Sequence, residues 1–151
     1  MRRWTRSARR RLRGVGEEGG AAAVEFALVS LLLFTLLFGV IDFGFGFYTW
    51  GSLGNAAREG ARKGAVDADV DDIEDRFRNS ATGLDDDDLR ITITCSSGGT
   101  GPFVPCGTPT EGDIVRVSGE YDYGFITPLG GMVGLGDTMT MRVNSEARFE
   151  G

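Results

Sequence analysis

The chain has 151 residues, 41% hydrophobic and 25% charged, enough for one core with a solvated surface. It contains no histidine, which removes Ser-His-Asp and Cys-His catalysis and imidazole-ligated metal, so neither an enzyme nor a cofactor is expected. The net charge of −6 hides seven arginines and no acid in residues 1–13, against 18 acids and nine bases from Gly51 onward, which argues against nucleic-acid binding by that acidic part.

The arginines Arg2, Arg3, Arg6, Arg9, Arg10, Arg11 and Arg13 make residues 1–20 a basic leader, closed by Gly16-Glu17-Glu18-Gly19-Gly20. Behind it, Phe26–Ile41 is a run of sixteen uncharged residues, FALVSLLLFTLLFGVI, and Glu25 and Asp42 are the only charges between Ala21 and Trp50. A helix over Phe26–Trp50 is about 37 Å long at the standard rise, enough for a hydrocarbon core of about 30 Å. Phe43, Phe45, Phe47, Tyr48 and Trp50 cluster at its far end, where an interfacial aromatic belt belongs. A secretory signal has a shorter apolar core followed directly by its cleavage site; residues 21–50 instead predict a retained transmembrane helix. The arginine leader holds the N-terminus in the cytoplasm and places the rest outside the cell membrane.

The boundary reads Gly20-Ala21-Ala22-Ala23-Val24-Glu25-Phe26, a glycine, small residues, and a glutamate five positions after the glycine. This resembles a pilin-like leader. The whole stretch GAAAVEFALVSLLLFTLLFGVIDFG, followed by NAAREGARKGAV, resembles the TadE-like family, minor pilins or pseudopilins of the tight-adherence (Flp-type) pilus system, over Gly20–Val66. A weaker similarity covers Asp113–Gly151. The resemblance implies cutting of the Gly20–Ala21 bond by a prepilin peptidase on the cytoplasmic side. It also implies partners among other pilins or pseudopilins, the inner-membrane assembly platform and membrane lipid. In that family the AAREGAR element is characteristic, which makes the Arg58 and Arg62 face a candidate partner contact.

The chemistry of Glu25 stands on its own. A carboxylate inside a membrane helix costs about 2–3 kcal/mol or more unless it is paired or interfacial. Cleavage at Gly20 would create an ammonium at Ala21, four residues away and on the same helix face. The helix dipole also favours an anion there. Alternatively, Glu25 simply faces the headgroups. Asp42, about 24 Å further along the helix than Phe26, is a membrane-boundary acid that either reaches the outer headgroups or bonds another helix. Gly39, Gly44 and Gly46 would let that helix approach, and Gly51 and Gly54 are positioned to kink or end the span.

Residues 51–80 read as a helical extension and a short amphipathic helix. Ser52–Val66 carries Arg58 and Arg62 four apart on one face. In Asp67–Asn79, Val70, Ile73 and Phe77 fall on one side, with Asp67 or Asp69 as cap. Asp85–Asp88 reads as a solvated turn. Residues 81–151 hold three alternating segments, Leu89–Cys95, Asp113–Tyr123 and Thr138–Phe149, which predict an antiparallel sheet wet on one face and packed on the helices by the other. Cys95 and Cys106 pair as a disulfide in an oxidising compartment, or stay reduced otherwise. The uncharged, glycine-rich connection Gly124–Gly136 either touches membrane or a partner, or tucks against the sheet.

The fold class is therefore α+β, a long pilin-type N-terminal membrane helix continuing into a small antiparallel sheet domain. The expected role is a minor pilin or pseudopilin of a Tad-type pilus, single-pass in the cytoplasmic membrane, which either enters the fibre or remains an assembly factor. The competing reading is a membrane-anchored extracytoplasmic binding module unrelated to pili. A secreted carboxylate enzyme drawing an acid pair from Glu111, Asp113, Glu120 and Asp122 is the remoter one.

Overall fold

A computed structural model describes residues 17–151, with side chains from Gly20 onward. The arginine run of the leader lies outside the described residues. The chain divides into two units, one ending at Leu37 and one spanning Phe38–Gly151.

Helix α1 spans Glu17–Gly64. It contains no proline, and it runs through Gly51 and Gly54, where the sequence led us to expect a kink or an end. Its last turn carries Arg62 and Lys63, cations that suit the negative end of the helix dipole. In the first unit nearly every side chain from Gly20 to Leu37 is exposed, the large apolar ones included. Thr35 hides its hydroxyl proton by donating to the Leu31 carbonyl at 2.8 Å, so the one threonine of the stretch places no unpaired donor on its apolar surface.

The second unit is built on a stripe of α1. Leu53, Ala56, Ala57, Gly60, Ala61 and Gly64 are buried and recur at helical spacing. Helix α2, Val70–Ser80, is capped by Asp69, whose side chain accepts from the Asp71 amide at 3.0 Å. Its apolar residues Ile73 and Phe77 are fully buried. The sheet follows: β1 (Leu89–Ser96), β2 (Val104–Pro105), β3 (Ile114–Gly124) and β4 (Thr138–Arg148), with the four-residue helix α3 (Leu129–Met132) between β3 and β4. Strand order is β2-β1-β3-β4 and every pairing is antiparallel.

Strand parity falls as the alternation predicts. Val115, Val117, Gly119 and Tyr123 of β3 are buried against the helices. The opposite face is a charged ladder: Arg90 and Arg142 flank Glu120 in register, and Arg116 faces Glu146. Arg142 reaches Glu120 at 2.7 Å, Arg116 reaches Glu146 at 2.7 Å, and Arg90 reaches Asp122 at 2.7 Å. Opposite charges directly across a sheet are mildly stabilising and fix register.

Small residues bring the layers together. A Cβ on Gly119 would meet Phe77 Cζ at 2.5 Å, and one on Gly64 would meet Val115 Cγ1 at 2.9 Å. The buried stripe of α1 is thus narrow because the sheet lies directly against it. Cys95 and Cys106 form a disulfide that ties the short edge strand β2 region back to β1.

Candidate functional site along helix α1

The expected processing position lies near the start of α1. Gly20 and Ala21 are exposed, and Gly20 has open space around its Cα. Glu25 is exposed one turn beyond Ala21, so the two positions share a helix face. The apolar residues that follow, Phe26 at 74% exposure and Leu32 at 63% among them, make α1 long and apolar enough to cross a membrane. That is compatible with single-pass anchoring.

Asp42 behaves differently from both sequence expectations. Only 6% of its surface is exposed, and its carboxylate is engaged inside its own chain rather than turned to headgroups or to another helix. Oδ1 accepts from the amides of Ile126 at 3.0 Å and Thr127 at 3.1 Å, while Oδ2 accepts from the Thr127 hydroxyl. Tyr123 donates its phenol proton to the Asp42 carbonyl at 3.2 Å. Thr127 Oγ1 then accepts from the Leu129 amide at 3.3 Å, so the acid caps the turn that leads into α3. Multiple donors converging on one carboxylate are what make an apolar environment tolerable for it.

The glycines beside Asp42 serve the same contact. Gly39 faces Leu129, and a Cβ on Gly46 would lie 3.5 Å from Met141 Cε. They admit the chain's own loop and sheet, whereas Gly44 opens onto empty space. The connection after β3 is therefore held against α1, with Phe125 donating to the Asp137 carbonyl at 3.0 Å to close its base. A groove of about 390 Å³ lies between α1 and this connection, lined by Phe43, Phe47, Val133, Leu135 and Met139 among others.

Arg58 and Arg62 are both exposed on α1. Arg62 bonds Glu59 at 3.0 Å, and Arg76 of α2 reaches the same carboxylate at 2.6 Å. Hydrogen bonds from Arg76 and then Arg62 hold Glu59 below the ordinary carboxylate range. Part of the basic face is thus neutralised within the chain. The alanines and glycines of the same element point the other way, into the core. Of the four acids considered for catalysis, Glu120 and Asp122 are each bonded to an arginine of the ladder, and Asp113 accepts from the amides of Gly98 and Thr110. Among the described residues no cluster of three or more His, Cys, Asp or Glu is placed to hold a metal ion.

A family model described as TadE-like protein matches residues 20–62. Over those residues the chain is similar to the TadE-like family. The comparisons with curated proteins and with solved structures each found no match. The TadE-like segment contains Gly20, Ala21, Glu25, Asp42, Arg58 and Arg62, and it ends within the buried stripe. The partners of Asp42, namely Tyr123, Ile126 and Thr127, lie outside the TadE-like segment, and no local pattern in the sequence links them to it. The unexplained acid in an apolar helix was the one available signal that a donor set had to exist somewhere.

Proposed function

We propose that this protein is a minor pilin or pseudopilin of a Tad-type pilus assembly system, without enzymatic activity of its own. The observation that carries the reading is the coincidence of the TadE-like match, which starts at Gly20, with the exposed apolar stretch of α1, where Glu25 is the first acid after that glycine. In this reading a prepilin peptidase cuts after Gly20 on the cytoplasmic side. The amine freed at Ala21 sits one turn from Glu25, and each charge lowers the cost of keeping the other at the membrane edge. Between neighbouring subunits the same attraction sets the axial register of packed helices, and the apolar surface from Phe26 to Ile41 supplies lateral contact. The chain beyond the span lies on the outer side of the cytoplasmic membrane and meets other pilus components and the assembly platform, with exposed Arg58 available to an acidic partner.

Mass spectrometry of the native N-terminus tests this. A chain beginning at Ala21 is the expected result, and Glu25→Ala should then impair assembly. A chain retaining its arginine leader in cells that make the pilus overturns the reading and leaves a plain membrane-anchored binding module.

A further inference from the structure

We infer that the connection between β3 and β4 is a second membrane contact, inserting its apolar side chains into the outer leaflet beside the span and seating a phospholipid acyl chain in the groove against α1. The inference rests on the single-pass reading and adds to it that the folded unit is held on the bilayer surface.

Height is the first argument. A helix that enters the hydrocarbon between Ala21 and Phe26 crosses a core of about 30 Å in about twenty residues. It therefore emerges between Ile41 and Gly46. The Asp42 carboxylate, which accepts from Ile126 and Thr127, ties the connection to the helix at that level. Composition is the second. From Tyr123 to Gly136 there is no charged residue. Ile126, Met132, Val133, Leu135 and Met139 are each between 47% and 67% exposed. Of these, Val133, Leu135 and Met139 continue the apolar surface of Phe43 and Phe47 across the groove.

Backbone chemistry is the third argument and the most selective. Non-helical chain at membrane depth requires its amides to be satisfied internally. Ile126 and Thr127 donate to Asp42, Leu129 to Thr127, and each amide from Met132 to Leu135 to a carbonyl three to five residues back. A groove of about 390 Å³ lined mainly by apolar side chains accommodates a length of hydrocarbon chain.

The test uses the full chain reconstituted in vesicles of phosphatidylethanolamine and phosphatidylglycerol, with the photoreactive residue p-benzoylphenylalanine introduced singly. The positions are Met132 and Leu135 in the connection, Leu33 in the span, and Glu146 on the charged sheet face. All four are exposed, so the replacements leave the core intact, and the retained Cys95–Cys106 disulfide reports folding. Lipid adducts at Leu33, Met132 and Leu135, with none at Glu146, are expected. Lipid adducts at Leu33 without any at Met132 or Leu135 overturn this inference and leave the span standing. Crosslinks from Met132 and Leu135 to a second copy in place of lipid also overturn it. Adducts at Glu146 as well would show indiscriminate contact and overturn it. Absence of lipid adducts at Leu33 removes the span and this inference together.

Discussion

Asp42 joins two parts of the chain 85 positions apart through a single carboxylate. Replacing it with alanine removes the acceptor for the Ile126 and Thr127 amides and for the Thr127 hydroxyl, and buried donors without acceptors are costly. We predict that Asp42→Ala makes the amides of Ile126 and Thr127 exchange with solvent at rates typical of an open loop. Asp42→Asn, which retains one carbonyl oxygen, should keep part of the protection. Unchanged exchange in Asp42→Ala would show that the connection is held by apolar contact alone. Asp113 does comparable work at the other end of the sheet, where it accepts from the Thr110 amide at 2.9 Å, the Gly98 amide at 2.9 Å and the Thr110 hydroxyl at 3.0 Å. The Thr110 amide, then the Gly98 amide and the Thr110 hydroxyl, hold its carboxyl below the ordinary value of 3.8. A depressed folded-state value stabilises above the unfolded value and is lost as pH falls through the folded one. The thermal stability of the protein should therefore fall as the pH drops below 3.8, and Asp113→Asn should flatten that dependence. An equal slope in both proteins would assign the acid sensitivity to other carboxylates, such as Asp122 beside Thr140 and Arg90.

At the scale of elements, the packing of α1 and α2 on β3 depends on what is missing from the side chains. Gly119 lies under the Phe77 ring and Gly60 under Val117. Overpacking a filled core costs about 1–3 kcal/mol, and Gly119→Ala should lose stability in that range by denaturant unfolding. Gly124→Ala, at the end of the same strand with nothing within 4 Å of its new methyl, should be near neutral. Equal losses at the two positions would point to strand flexibility rather than contact with Phe77. The element boundaries themselves follow local chemistry: Asp69 caps α2, and alternating apolar residues set the faces of β1, β3 and β4. The buried stripe Ala56, Ala57, Gly60, Ala61 and Gly64 is harder to read in advance. Small residues carry little hydrophobic signal, while Arg58 and Arg62 between them suggest a surface helix.

At the scale of the whole molecule, Glu25 and the buried core fall in different units. Glu25 belongs to the unit ending at Leu37, whereas the core begins beyond Phe38. Sites that share no partners act independently. Glu25→Ala should accordingly leave the melting temperature of the folded unit unchanged in detergent while altering assembly. A large shift in melting would mean that Glu25 is structural rather than dedicated to helix packing.

The sequence alone determined the long apolar helix, the amphipathic α2 and the two-faced strands, because each is a periodicity that neighbouring residues display to one another. It also placed Glu25 relative to Gly20, since both lie on one helix. Tertiary structure decided the rest. Strand order, the facing of Gly39 and Gly46 onto the chain's own loop and sheet, and the conversion of Asp42 from an unexplained charge into a tether all depend on contacts between residues far apart in the chain. The energy of such contacts comes from donors and surfaces that no local window contains.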